Sequence, residues 1–118
     1  MTLMRKPLIT LIALLLVACG SNVPPPSDRL SSAEAASRSA KELGANNDPK
    51  AQLHLKLATE QIDQAKKLMA DGDNKRADLV LQRANADAEL SVMLAKESNA
   101  KTEADKAQQT VKKIKENK

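Results

Sequence analysis

The sequence predicts an all-α protein, an antiparallel helical hairpin or three-helix arrangement with a long C-terminal helix. Three observations predict it. Phe, Tyr and Trp are absent from all 118 residues, so any core must be built from Ala, Leu, Val, Ile and Met, whose small and unbranched members favour close helix packing over a thick interior. Past residue 30 the apolar residues recur at intervals of three and four, the period of a helix face. Gly and Pro are confined there to positions 44, 49 and 72, where they punctuate one helix from the next.

Residues 1–18 read as a targeting segment. Arg5 and Lys6 precede an almost wholly apolar run from Leu8 to Val17, which closes on Leu16-Val17-Ala18-Cys19. A basic start, a short apolar stretch and small residues are the three parts of a secretory signal. The run to Cys19 is roughly a dozen residues, whereas a membrane span needs about 20. A lone cysteine also has no disulfide partner in an oxidising compartment. The segment resembles the bacterial lipoprotein signal. That resemblance implies that Cys19 becomes the first residue of the mature chain and is held in the membrane by diacylglyceryl and palmitate-type acyl groups. Gly20 stands where Asp would retain a lipoprotein in the inner membrane, so the resemblance further implies the periplasmic face of the outer membrane of a Gram-negative bacterium.

Residues 19–30 follow as the lipidated cysteine and a tether. Pro24-Pro25-Pro26 among Ser and Asn favours an extended polyproline conformation that does not pack, with a reach on the order of 25 Å at 3.1 Å per residue.

The helical domain is expected over residues 31–100. Ser31 and Glu34 form a capping box that opens the first helix, Leu30, Ala33, Ala36, Ala40 and Leu43 make its apolar face, and Gly44 ends it. Asp48 can cap the second helix, with Pro49 at the first helical position where its missing amide proton is no loss. The second helix carries the stripe Ala51, Leu55, Ala58, Ile62, Ala65 and Met69. Leu57 and Leu68 widen that stripe, so it should have two neighbours. Asp71-Gly72-Asp73 closes this helix and caps the next; a turn so short makes the two antiparallel.

The third segment runs from Asn74 to about Glu116 without Gly or Pro and would be roughly 65 Å long if continuous. Its residues 77–95 should pack on the second helix. Residues 101–118 form a Lys-rich helical tail, and beyond Lys96 the apolar residues Ala100, Ala104, Ala107, Val111 and Ile114 keep a heptad spacing in register with Leu90 and Met93. The tail reads either as an exposed, solvated helix end or as the seam for a partner helix; close parallel self-association is one use of such a seam.

Composition narrows the function. The net charge of +4 falls to +2 once Arg5 and Lys6 leave, which is ordinary for a small domain. No aromatic faces are present to stack nucleobases, which excludes a stacking platform for single strands, and no nucleic-acid partner is expected. An enzyme needs a nucleophile and base held together away from water, and His54 is the only histidine, lying at the edge of the apolar stripe as a structural residue. The chain is therefore expected not to be an enzyme and to bind no cofactor. No metal is expected either: no second ligand sits four residues from His54, and Asp71-Gly72-Asp73-Asn74 lacks the bidentate Glu of a calcium loop.

The placements of Ala36, Ala40, Gly44 and Ala45, of Pro49 before the Leu-rich second helix, and of Gly72 and Ala77 leading into Ala84, Asp87, Ala88 and Ala95 carry a family resemblance. Over about Ser31 to Lys101 the chain resembles the Ala-rich periplasmic domain family DUF4398, found in small bacterial lipoproteins and beside OmpA-like modules. The resemblance implies an envelope lipoprotein with a helical hairpin or three-helix fold, and supplies no catalytic residue.

The expected function is that of a lipid-anchored periplasmic structural or adaptor protein of the cell envelope. It would contact a protein partner or peptidoglycan through the tail, with Lys112, Lys113, Lys115 and Lys118 as contact residues. The chain is also similar in outline to the murein lipoproteins, which implies a covalent link from Lys118 to peptidoglycan. The alternative is a helical binding module for envelope trafficking or quality control, using an apolar groove on the second helix beside Leu57 and Leu68.

Overall fold

The computed structural model describes residues 22–117. The signal segment, Cys19 and Lys118 lie outside the described residues. Three helices make the three-helix alternative the observed one: α1 (Ser27–Glu42), α2 (Pro49–Ala70) and α3 (Asn74–Glu116), with a 3-10 turn at Ala45–Asn47 between the first two.

The expected start at Ser31 is corrected. Helix α1 begins four residues earlier, with Pro26 at its N-cap and no side-chain cap. The amide of Leu30 donates to the Pro26 carbonyl at 3.0 Å, closing the first helical turn. Long-range contacts reward that extra turn: Arg29 pairs with Asp78 of α3, and Leu30 packs on the cluster of Ala33, Ile62, Ala65, Leu81 and Ala84. Glu34, expected in a capping box, instead accepts from Lys66 of α2 at 2.6 Å. Residues 27–30 of the expected tether are thus helical.

The other boundaries follow local chemistry. Gly44 adopts φ 83 and Gly72 φ 79, a left-handed conformation that a side chain disfavours. At the second turn Asp73 N donates to Leu68 O at 2.8 Å and Gly72 N to Met69 O at 3.1 Å, the paired bonds of a Schellman motif. Asp48 Oδ1 accepts from the amides of Lys50 at 3.0 Å and Ala51 at 2.8 Å, and Asp73 Oδ1 accepts from Arg76 N at 3.2 Å. Both expected aspartate caps are present.

Helix α2 runs antiparallel to its two neighbours, so α1 and α3 are parallel. Arg29 meets Asp78 near the start of both, and Asn99 Nδ2 donates to the Leu43 carbonyl at 2.9 Å where α1 ends. The core repeats at four and three along each helix: Ala51, Leu55, Ala58, Ile62 and Ala65 of α2 are buried, as are Ala77, Leu81, Ala84, Ala88, Ser91 and Ala95 of α3. This heptad pattern belongs to helices crossing at a shallow angle. Because most of these positions are alanine, cohesion comes from close backbone approach and dispersion more than from apolar area. Leu81 is the one large apolar side chain fully buried among the described residues.

Helix α3 is continuous from Asn74 to Glu116. Its expected two parts differ in surroundings, with no break between them. Residues up to 95 are packed at heptad positions, whereas residues 101–117 are exposed throughout, so the helix overhangs the end of α1 by about 25 Å at 1.5 Å per residue. No described helix is long and apolar enough to cross a membrane.

Candidate functional site

Two opposite ends of the bundle carry the residues singled out by the sequence. At one end, residues 22–26 lead into α1 beside the α2–α3 turn. Asn74 Nδ2 donates to the Val23 carbonyl at 2.7 Å, and Val23 to Pro26 form a shallow concavity with Lys75, Asp78 and Leu79. The proline segment, expected to stand free, is therefore clasped against the first turn of α3. Sequence spacing offered no sign of this, because Val23 and Asn74 are 51 residues apart.

At the other end stands the overhanging part of α3. Lys101 is tied to Glu97 at 2.6 Å. That hydrogen bond raises the lysine above its ordinary value and holds the glutamate below its own, with Coulomb attraction adding in the same direction. Beyond it, Lys106, Lys112, Lys113 and Lys115 have no carboxylate partner among the described residues. Lys113 and Lys115 lie in the last turn, where unpaired carbonyls and the helix dipole favour positive charge. Val111 and Ile114 are 50% and 59% exposed beside these lysines. Lys112, Lys113 and Lys115 thus share one exposed helix end; Lys118 lies outside the described residues.

His54 is a structural link between α2 and α3. Its Nδ1 lies 2.9 Å from Asp87 Oδ1, and Gln61 Nε2 donates to Asp87 Oδ2 at 2.9 Å. A carboxylate can only accept, so Nδ1 carries the proton. Leu57, between these two residues in sequence, is half-buried, as is Leu68; the open concavity on α2 is lined instead by Pro49, Leu53, Leu55 and Thr59. No group of three or more His, Cys, Asp or Glu is arranged to hold a metal among the described residues.

The sequence did not single out Leu79, 53% exposed near the start of α3. Its heptad relation to Leu90 and Met93 is the signal that could have found it.

The family model described as Domain of unknown function (DUF4398) matches residues 28–112. No curated protein and no solved structure matches the chain. The match reaches further than the resemblance over Ser31 to Lys101 and takes in most of the basic tail.

Proposed function

The chain belongs to the DUF4398 family, and from that premise we propose that it is a lipid-anchored structural or adaptor protein of the cell envelope. Its acylated Cys19 would hold the protein at the periplasmic face of the outer membrane. The basic end of α3 would meet a protein partner or peptidoglycan. The observation that supports this reading is the polarity of the bundle. Residues 22–26, which lead back to Cys19, are clasped at Asn74, and Lys112, Lys113 and Lys115 sit at the far end of the same helix, on the order of 60 Å away at 1.5 Å per residue. A rigid spacer with attachment groups at both ends suits bridging better than catalysis.

The lysines suit an acidic counterpart, whether carboxylates of a protein or of the cell-wall peptide, and such exposed contacts weaken with salt. Photo-crosslinking amino acids placed one at a time along Lys101 to Lys118 in living cells test the reading. Discrete adducts at Lys112, Lys113 or Lys115 that disappear when Cys19→Ala releases the protein from the membrane are expected. An absence of adducts along the whole tail would reduce it to a solvated helix end. Sacculi purified in hot detergent address Lys118 directly: retention until muramidase treatment supports a covalent link, and complete release restricts the contact to non-covalent forces.

A further inference from the structure

Five of the seven large apolar side chains exposed among the described residues lie on α3: Leu79, Leu90, Met93, Val111 and Ile114. They belong to one heptad series, which Ala100, Ala104 and Ala107 continue between Met93 and Val111 at steps of four and three. The buried series of α3, Ala77, Leu81, Ala84, Ala88, Ser91 and Ala95, occupies the other side of the helix, roughly 180° away about the axis at 3.6 residues per turn. Helix α3 therefore has two apolar seams. One is filled by α1 and α2; the other faces solvent from the bundle into the overhang and is bordered only at Leu79 by Val23 to Pro26.

We infer that the outer seam of α3 pairs in parallel and in register with the outer seam of a second copy of this chain, through the Leu79 to Ile114 heptads. Length points to a second copy. The seam spans about 50 Å at 1.5 Å per residue, and α3 is the only described helix long enough to match it. Residue size fixes the register, because large side chains flank an alanine stretch and a shift of one heptad sets Val111 against Ala104.

Charge supports the same arrangement. Glu97 is the acidic residue on the seam, and Lys101 of its own chain already neutralises it at 2.6 Å; Lys96, one position before it, falls on the edge that faces the partner's Glu97 in a parallel pair. Arg83 can lay its stem along the seam and carry its charge to the rim. Pairing would also cover Val111 and Ile114, which stand 50% and 59% exposed on the overhang. The parallel direction rests on the anchoring reading, which puts the N-terminal ends of all copies in one membrane plane.

The test uses the full chain in bacterial membranes, with Ala86→Cys, Ala107→Cys and, off the seam, Lys106→Cys made singly. Mild oxidation followed by non-reducing electrophoresis gives the dimer fraction, and the unmutated chain gives the background from Cys19. Dimer yields at residues 86 and 107 several-fold above that at 106 are the expected result. Equal yields at all three, or self-crosslinking at only one seam position, would overturn the pairing. So would dimers that form only when Ala86→Cys and Ala104→Cys copies are mixed, because that is the antiparallel arrangement. Mass analysis of Cys19 in the same samples keeps the two readings apart: seam dimers with an unacylated Cys19 remove the anchor and keep the pairing, while acylated Cys19 without seam dimers removes the pairing and keeps the anchor.

Discussion

Ala84 is fully buried in the cluster of Ala33, Ile62, Ala65 and Leu81, and the helices meet there with no space for a larger side chain. Ala84→Leu is expected to destabilise the bundle by roughly 1–3 kcal/mol through overpacking, and Leu81→Ala by about 2–5 kcal/mol through the cavity it leaves. Urea unfolding followed by far-UV circular dichroism measures both. The same assay applies to Gly44→Ala and Gly72→Ala, each expected to cost about 1–2 kcal/mol for a Cβ in left-handed backbone. At Gly44 the new Cβ would stand 3.1 Å from Asn47 Nδ2, but Asn47 is exposed and can turn away, so near-equal costs would identify the backbone as the cause. Gly72 and Asp48 were legible in the sequence because their work is local. Ser91 was not: it is fully buried and donates to the Ala51 carbonyl at 2.7 Å, 40 residues away, a partner that no spacing rule can supply.

Helix α1 is held at its flanks by ion pairs that respond to pH in opposite directions. The hydrogen bond from Arg29 holds Asp78 below its ordinary value of 3.8. A depressed carboxylate contributes stability that is present above its unfolded value and lost as pH falls through the folded one. The hydrogen bond to Glu34 raises Lys66 above 10.5, so its contribution is present below the unfolded value and lost as pH rises through the folded one. Thermal midpoints measured from neutral pH down to about pH 3 should fall more for the native chain than for Asp78→Asn, and added salt should shrink the difference because both groups are exposed. Ending the chain after Ala100 should change bundle stability by no more than about 0.5 kcal/mol at low protein concentration, since residues 101–117 are exposed throughout and only Lys101 borders the start of α2, beside Asp48, Pro49 and Lys50. The element boundaries that the sequence marked with Asp, Gly or Pro agree with the structure. The start of α1 does not, because Arg29 and Leu30 extend that helix through contacts with distant residues.

For the whole molecule, reach and facing direction are separate properties of α3 and can be varied separately. Deleting residues 101–107 shortens the overhang by about 10 Å and keeps Val111 and Ile114 on the outer seam. Deleting residues 101–104 shortens it by about 6 Å and turns everything beyond by roughly 40–50°. Self-crosslinking through Ile114→Cys should survive the seven-residue deletion and fall to background after the four-residue one. If both deletions behave alike, length governs the contact and the seam does not. The tail adducts expected from the envelope reading separate in the complementary way, being lost first where reach is shorter.

Composition and spacing alone determined that this chain is helical, that Gly44 and Gly72 end helices, and that Asp48 and Asp73 begin them, because each of these follows from backbone chemistry within a few residues. They also exposed the heptad rhythm of the tail. Only the tertiary structure decided that three helices share one bundle, that the proline segment is clasped at Asn74, and that α3 carries a second apolar seam turned away from its neighbours. A heptad pattern fixes which residues share a face of a helix; what covers that face depends on where α1 and α2 lie. Alanine positions read alike in sequence whether they are buried between helices or open to solvent.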